Sequence, residues 1–271
     1  MGVGSLTFNG ISTVDATYWL INGKKVGIVI QSPPVYEFPS KDVESIHVEG
    51  KSGDVIIDKN SYKNVKRTYS VAAIFGTDTS FVAVASKLTN WLLSAKGYVK
   101  LEDTYEPLYY RLAQFSNPGE LRNFYDRVTA IPLSFDCKPQ RFLKSGDTQV
   151  PFDMIGDYKQ IINPTLNESL PEITLDLHSS GELEVIIEFF SGPDYLSPTN
   201  YYSVTITTSK NLTIDCEYQE CYDELGYVNN KVSIENGFPK LHPGLNWVKY
   251  AVIGAEGTMD RILIKPKWWT L

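Results

Sequence analysis

Alternation with a period of two dominates this chain. In YSVAAIF, Tyr69, Val71, Ala73 and Phe75 fall on one face, and LEVIIEFF, YYSVTI and NWVKYAVI repeat the pattern. Successive side chains of a strand point to opposite faces of a sheet, so this spacing predicts half-buried strands. Gly, Pro and Asn punctuate the runs at short intervals, as turns between strands require. The reading is a mainly β protein. One segment breaks the rule. In DTSFVAVASKLTNWLLSAKG, residues 78–97, Phe81, Val84, Ala85, Leu88, Trp91, Leu92 and Ala95 recur every three or four positions. That spacing predicts an amphipathic helix long enough to lie across a sheet, capped at Asp78 or Thr79 and ended near Gly97. A second, shorter helical turn is expected in PGELRNFYDR, residues 118–127, where Pro118 and Glu120 suit a first turn.

At 271 residues the chain is long for a single core. A strand-like stretch to Cys137 is followed by Pro139, a basic tract and Gly146, after which the charge balance changes. The join is expected at about residue 143, giving two β-rich domains, 1–142 and 143–271. The first carries 16 Lys+Arg against 14 Asp+Glu and the second 9 against 18, net charges of +2 and −9. Neither offers the clustered positive charge of a nucleic-acid clamp. Hydrophobic residues make up 42% of the chain, ample for packed cores. The apolar runs, such as Val26–Ile30, fall far short of the roughly 20 residues of a membrane helix. The opening MGVGSLTFNG has neither the basic nor the apolar region of a secretory signal and is a poor myristoylation match, which predicts synthesis in the cytoplasm.

The catalytic inventory is short. GxSxG, HExxH and GxGxxG motifs are absent, and NGKKV lacks the upstream glycine of a phosphate loop. His47, His178 and His242 lie far apart in sequence. A triad drawn from distant segments stays open at this stage, but no activated-nucleophile context accompanies any of the three. Cys137, Cys216 and Cys221 form no CxxC pair and read as buried thiols. The expectation is a protein with no catalytic residues, metal or cofactor.

Three local clusters carry competing readings. DCEYQECYDE offers Asp215, Glu217, Glu220, Asp223 and Glu224 as hard oxygen ligands. It lacks the alternating ligand positions and central glycine of a calcium loop, so a solvated acidic loop is the expectation. HPGLNWVKY holds His242, Asn246 and Trp247, types that contact sugar hydroxyls and stack on sugar rings. Equally, Pro243–Gly244 makes a turn and Trp247 starts a strand. In VESIHVEGKSGDVIIDKNSYKN, Gly50 and Gly53 bracket a hydrophilic connection between two strand-like runs. A phosphate cradle needs a helix directly after it, whereas DVIID reads as a strand, so a hairpin is predicted. Finally, IKPKWWTL places Trp268 and Trp269 side by side. Neighbours in a strand face opposite ways, so one is expected inside a core. The other covers a second apolar surface, on the partner domain or an adjoining subunit, or caps the rim of the same core.

The run Val48 to Asp54, with Tyr62 and Asn64 after it, resembles the N-terminal GR-x-G…Y signature of distal tail proteins (Dit) of long-tailed bacteriophages. FNGI at 8–11, NWLL with Gly97 and Leu101 after it, YEPLYYRLAQF and FDCKP follow in the order that family shows. So do LTIDCE at 212–217, NGFPKLHPGLN at 236–246 and the terminal IKPKWWTL. Lys51 stands where the family often has arginine, which keeps the charge but loses a planar bidentate donor. The resemblance implies an N-terminal tail-tube-like β-sandwich with one α-helix and a C-terminal galectin-like β-sandwich. It implies a hexameric ring at the tail tip or baseplate of a virion, made in the cytoplasm of a host bacterium. Its partners would be the tail tube protein, the tape-measure protein, the tail-associated hub protein and receptor-binding or baseplate proteins. DNA would pass through without specific binding, and no membrane would be entered. Ring contacts need complementary surfaces on each subunit, and Glu49, Gly50, Lys51, Ser52, Gly53 and Asp54 are the candidates. The alternative is a carbohydrate-binding module for cell-wall glycan.

Overall fold

The protein is described by a computed structural model at residues 4–116, 122–124, 128–153, 155–179, 181–253 and 257–271. It is mainly β, with one α-helix among the described residues. Its contacts divide the chain into two units, residues 1–141 with Leu271, and Phe142–Thr270.

The first unit holds β1 (Leu6–Phe8), β2 (Ile11–Ser12), β3 (Leu20–Ile21), β4 (Lys24–Lys25) and β5 (Gly27–Ser32). After these come β6 (Lys41–Ile46), β7 (Val55–Tyr62), β8 (Val65–Ile74) and α1 (Phe81–Leu93). β9 (Val99–Asp103), β10 (Tyr109–Phe115), β11 (Arg122–Phe124) and β12 (Val128–Leu143) follow, the last running into the second unit. The main sheet runs in the order β2-β1-β9-β10-β12-β8-β5. Alternation decides what each strand buries: β8 turns Val65, Arg67, Tyr69, Val71 and Ala73 inward. α1 seats Val84, Leu88, Trp91 and Leu92 on the same core. Trp91 is its anchor. The indole meets Trp19 edge-on at 5.3 Å between centroids and donates its N–H to the Phe8 carbonyl at 3.0 Å, which satisfies a polar atom deep inside.

Two local expectations are corrected. The helix is capped at Ser80, with no side-chain cap bond, and the Asp78 carboxylate instead pairs with Lys24 Nζ at 2.9 Å. Residues 122–124 of the expected second helical turn are β11, antiparallel to β12 through Arg122↔Ala130, Asn123↔Thr129 and Phe124↔Val128. A single isolated turn fixes several residues for one hydrogen bond, whereas the extended β12 offers a ladder. Residues 118–121 and 125–127 of that segment lie outside the described residues.

The second unit is a two-sheet sandwich. One sheet orders β13 (Val150–Phe152), β23 (Gly257–Lys265), β15 (Glu172–Ser179), β18 (Leu212–Asp215), β19 (Glu220–Asp223) and β20 (Gly226–Tyr227). The other orders β14 (Lys159–Asn163), β22 (Gly244–Ile253), β16 (Leu183–Ser191), β17 (Asn200–Thr208) and β21 (Val232–Glu235). Strand β16 shows how the sequence builds it. Leu183, Val185, Ile187 and Phe189 enter the core, and Glu184, Ile186, Glu188 and Phe190 face outward. Ile173, Leu175, Ile214, Ile262 and Ile264 of the opposite sheet close the same core.

Trp268 is buried in this core, and β24 (Trp269–Thr270) pairs with β12. The Trp269 indole donates to the Glu168 carbonyl at 2.8 Å. Leu143 N–H donates to the Trp268 carbonyl at 2.8 Å, and Lys267 N–H to the Gly146 carbonyl at 2.7 Å. Gly146 is there because nothing larger fits: a Cβ would lie 2.3 Å from the Trp268 backbone nitrogen. Gly146→Ala is therefore expected to destabilise the protein by about 1–3 kcal/mol through overpacking. Deleting 268–271 is expected to cost about 3–5 kcal/mol, as large aromatic truncations in cores do. Urea unfolding checks both, and midpoints equal to that of the parent chain contradict the account of a buried terminal strand.

Candidate functional site

The residues Glu49 to Asp54 sit at the tip of a hairpin formed by β6 and β7, which pair with each other and with no other described strand. Gly50 and Gly53 adopt φ of +78° and +81°, a region open to glycine at little cost. Lys51 N–H donates to the Val48 carbonyl at 3.1 Å, and His47 Nδ1 lies 3.2 Å from Asp54 Oδ1 across the loop. Register places Glu44, Ile46, Val55 and Ile57 on one face and Val43, Ser45, Ile56 and Asp58 on the other. Both faces thus carry apolar side chains, and every residue of β7 is exposed, Ile56 at 66%. A lone two-stranded hairpin is marginally stable in water. This one also presents two free edges of unpaired N–H and C=O groups. Lys41 to Asp58 at 2.5 Å and Lys59 to Glu44 at 4.0 Å bridge its strands, exposed pairs worth little.

The root of the arm is held far more firmly. Residues 33–40, PPVYEFPS, lead into β6, and three prolines stiffen them. The Tyr36 ring lies over three guanidinium groups: Arg67 at 5.7 Å, Arg111 at 5.8 Å and Arg141 at 5.4 Å from its centroid. Below them Arg67 Nη2 reaches Asp103 Oδ2 at 3.2 Å and Glu106 Oε2 at 3.1 Å. Arg111 Nε stands 3.6 Å from Glu106, and Arg141 Nη1 bonds Glu106 Oε1 at 3.1 Å. Asp103 accepts from Tyr69 Oη at 2.6 Å and from the Tyr105 and Glu106 N–H groups at 2.8 Å each. The Arg67 and Asp103 side chains are only 5% and 4% exposed. Burial, with the Asp103 carboxylate beside it, pushes the Tyr69 hydroxyl far above its usual range, so Tyr69 is a permanent donor. Arg141 also donates to the Leu271 carbonyl at 2.6 Å. Asp103 is the most committed member: its loss would strip Tyr69 and two backbone N–H groups of their acceptor and Arg67 of one of its two carboxylates.

The other sequence candidates fall elsewhere. Asn246 faces the sandwich core and spends its amide on the turn, accepting from His242 N–H at 2.9 Å and donating to the His242 and Gly244 carbonyls. His242 is held between Tyr202 Oη at 3.0 Å and Glu168 at 3.2 Å. Trp247 lies on the opposite face of β22, so the structure does not bring the three together. In the acidic loop, Asp215 pairs with Lys267 at 3.1 Å and caps the Glu217 and Tyr218 N–H groups, while Asp223 caps Leu225 and Gly226. Among the described residues no three His, Cys, Asp or Glu side chains are grouped to hold a metal ion. The side chain of His178 lies outside the described residues. All three cysteines are free and buried. Burial pushes the Cys137 thiol up to about 12 and Cys221 to about 11 and also raises Cys216, which leaves them poor nucleophiles.

Sequence reasoning missed the ionic cluster, whose single signal was Arg67 in an inward register position of β8. No protein-family model matches the chain, and no curated protein sequence matches it. Among solved structures, the chain is similar to the crystal structure of the SPP1 Dit (gp 19.1) protein, a hub adsorption apparatus paradigm for phages infecting Gram-positive hosts. Identity is 16%, all of both chains is covered, and the TM-score is 0.57. At that identity the likeness is one of fold.

Removing one partner from the cluster is the direct test of its role. Asp103→Ala is expected to lower stability by about 3–5 kcal/mol. Lys51→Ala at the arm tip should change it by no more than about 0.5 kcal/mol. Urea denaturation compares the two, and an Asp103→Ala midpoint equal to that of Lys51→Ala contradicts the assignment.

Proposed function

We propose that this chain is a structural subunit of a phage tail tip, whose first unit closes with five further copies into a hexameric ring. The observation that carries this reading is the β6–β7 arm, which exposes apolar side chains on both faces and pairs with no other strand among the described residues. Strand edges with unpaired backbone groups are completed by another strand, and a head-to-tail contact repeated by rotation closes a ring. Lys41, Lys51, Lys59 and Lys63 on and beside the arm keep the free edges charged, a common defence against premature pairing. The whole-chain likeness to a phage hub protein supports the same assignment.

In this reading the first unit is tail-tube-like and continues the tail tube, meeting the tube and tape-measure proteins on one side and the tail-associated hub protein on the other. The galectin-like second unit docks receptor-binding or baseplate components. The lumen passes DNA without gripping it, in keeping with a net charge of only +2 on residues 1–142. The role is scaffolding and not catalysis, and it places the protein in the virion.

Electron microscopy of the concentrated protein, or of tails containing it, should show rings of six. Replacing residues 42–61 by Asn-Gly, which closes β-hairpins tightly, should leave a folded monomer that forms no ring. Absence of rings of any order in the parent chain, or rings of unchanged order from the armless variant, contradicts the proposal.

A further inference from the structure

We propose that the second unit carries a binding site for an uncharged saccharide, on the outer face of its five-stranded sheet. Register sets Trp247 of β22 beside Phe190 of β16, and Phe190 beside Tyr201 of β17, so three aromatic side chains form one row across three strands. Two loops rise beside this row. One presents Tyr158, whose ring meets Phe190 at 5.6 Å, and its Gly156 N–H is tied to the Tyr250 carbonyl at 2.8 Å. The other presents Tyr195, 5.6 Å from Trp247 and stacked on Tyr158 at 4.2 Å. Its backbone is folded by Asp194, whose carboxylate accepts the Leu196 and Ser197 N–H groups at 2.8 Å each. Between loops and sheet lies a cavity of about 520 Å³, bounded by Phe152, Asp153, Asp157, Tyr158, Lys159, Tyr195 and Trp247.

The chemistry of the lining selects the ligand. A cavity of this size matches small-molecule sites in general, and its walls combine ring faces with two carboxylates and the Lys159 side chain. Tyr158 and Tyr195 remain 38% and 36% exposed, although a stacked pair of this size gains from complete burial. Asp153 and Asp157 bring two acceptors suited to hydroxyl donors. The Trp247 indole N–H is enclosed and has no acceptor among the described residues, an unsettled polar atom that ordinary packing avoids.

A cationic ligand would also seek aromatic faces and carboxylates, but two of the protein's own cations already stand against the rings. Lys249 Nζ lies 5.1 Å from the Tyr158 centroid, and Lys159 Nζ, which donates to the Pro151 carbonyl, lies 5.0 Å from the Phe152 centroid. A third cation would be repelled by both. A neutral sugar is not: its C–H face stacks on a ring while vicinal hydroxyls donate to the two aspartates.

The test uses the full chain. Glucose, galactose, rhamnose, N-acetylglucosamine and N-acetylgalactosamine, with their di- to tetrasaccharides, are titrated against it by saturation-transfer NMR and calorimetry, with choline chloride as the cationic control. At least one oligosaccharide is expected to saturate the protein with a Kd in about the micromolar to millimolar range. Tyr195→Ala and Asp157→Asn should each weaken that binding by about tenfold or more, with unfolding midpoint and particle mass unchanged. No saturable binding across the panel, affinities untouched by both variants, or binding of choline in place of the sugars overturns the proposal. Ring formation reads out the first unit and saccharide binding the second, so failure of one leaves the other standing.

Discussion

Everything distinctive about the first unit rests on two carboxylates, buried Asp103 and half-buried Glu106, meeting the guanidinium groups of Arg67, Arg111 and Arg141. Burying Arg67, Asp103 and Arg111 is expensive, and replacing such groups with hydrocarbon often stabilises a protein. What the cluster supplies is direction. Its upper surface is a platform of guanidinium planes on which Tyr36 lies, and Tyr36 belongs to the stiff, proline-flanked segment that launches the arm. An arm that is itself marginal, with apolar side chains on both faces, leaves the body of the unit at one firmly held root. Fixing the root lowers the entropy that an assembly contact must overcome, which is how preorganisation strengthens binding.

The second unit follows a plainer logic. Two sheets share a core of alternating aliphatic residues, and the terminal stretch is stapled to residues 143–146 around a glycine that admits no side chain. With its core closed, the unit can spend outward-facing aromatics on a surface row and the loops above it. Trp247 and Asn246 illustrate the division. Adjacent in sequence, they take opposite faces of β22, one fixing a turn from within and the other lining a cavity outside.

Much of this was legible in the sequence, because period-two alternation and period-3.6 recurrence report directly which side chains face a core. The inward faces of β8 and β16 and the buried face of α1 follow from the pattern alone. Gly50 and Gly53 announced a turn and took left-handed backbone. What stayed hidden was set by partners distant in the chain. Arg67 looks like a surface charge until Asp103 and Glu106 arrive beneath it, and Asp78, a cap candidate by sequence, pairs instead with Lys24 of the distant β4. Arg122–Phe124 carried a plausible first-turn context and became a strand because β12 offered a ladder. The arm escaped for the opposite reason: its alternation reads like that of any half-buried strand, and nothing local reveals that neither face finds a core.

The central claim is that the β6–β7 arm is completed by another copy of the chain. Backbone amide hydrogen exchange across residues 41–62, compared between the free chain and assembled rings, measures this most directly, since exchange reports local opening. The account predicts fast exchange along both strands in the free chain and strong protection of one strand edge in the ring. Equal exchange in the two states, with protection appearing elsewhere in the first unit, would contradict it.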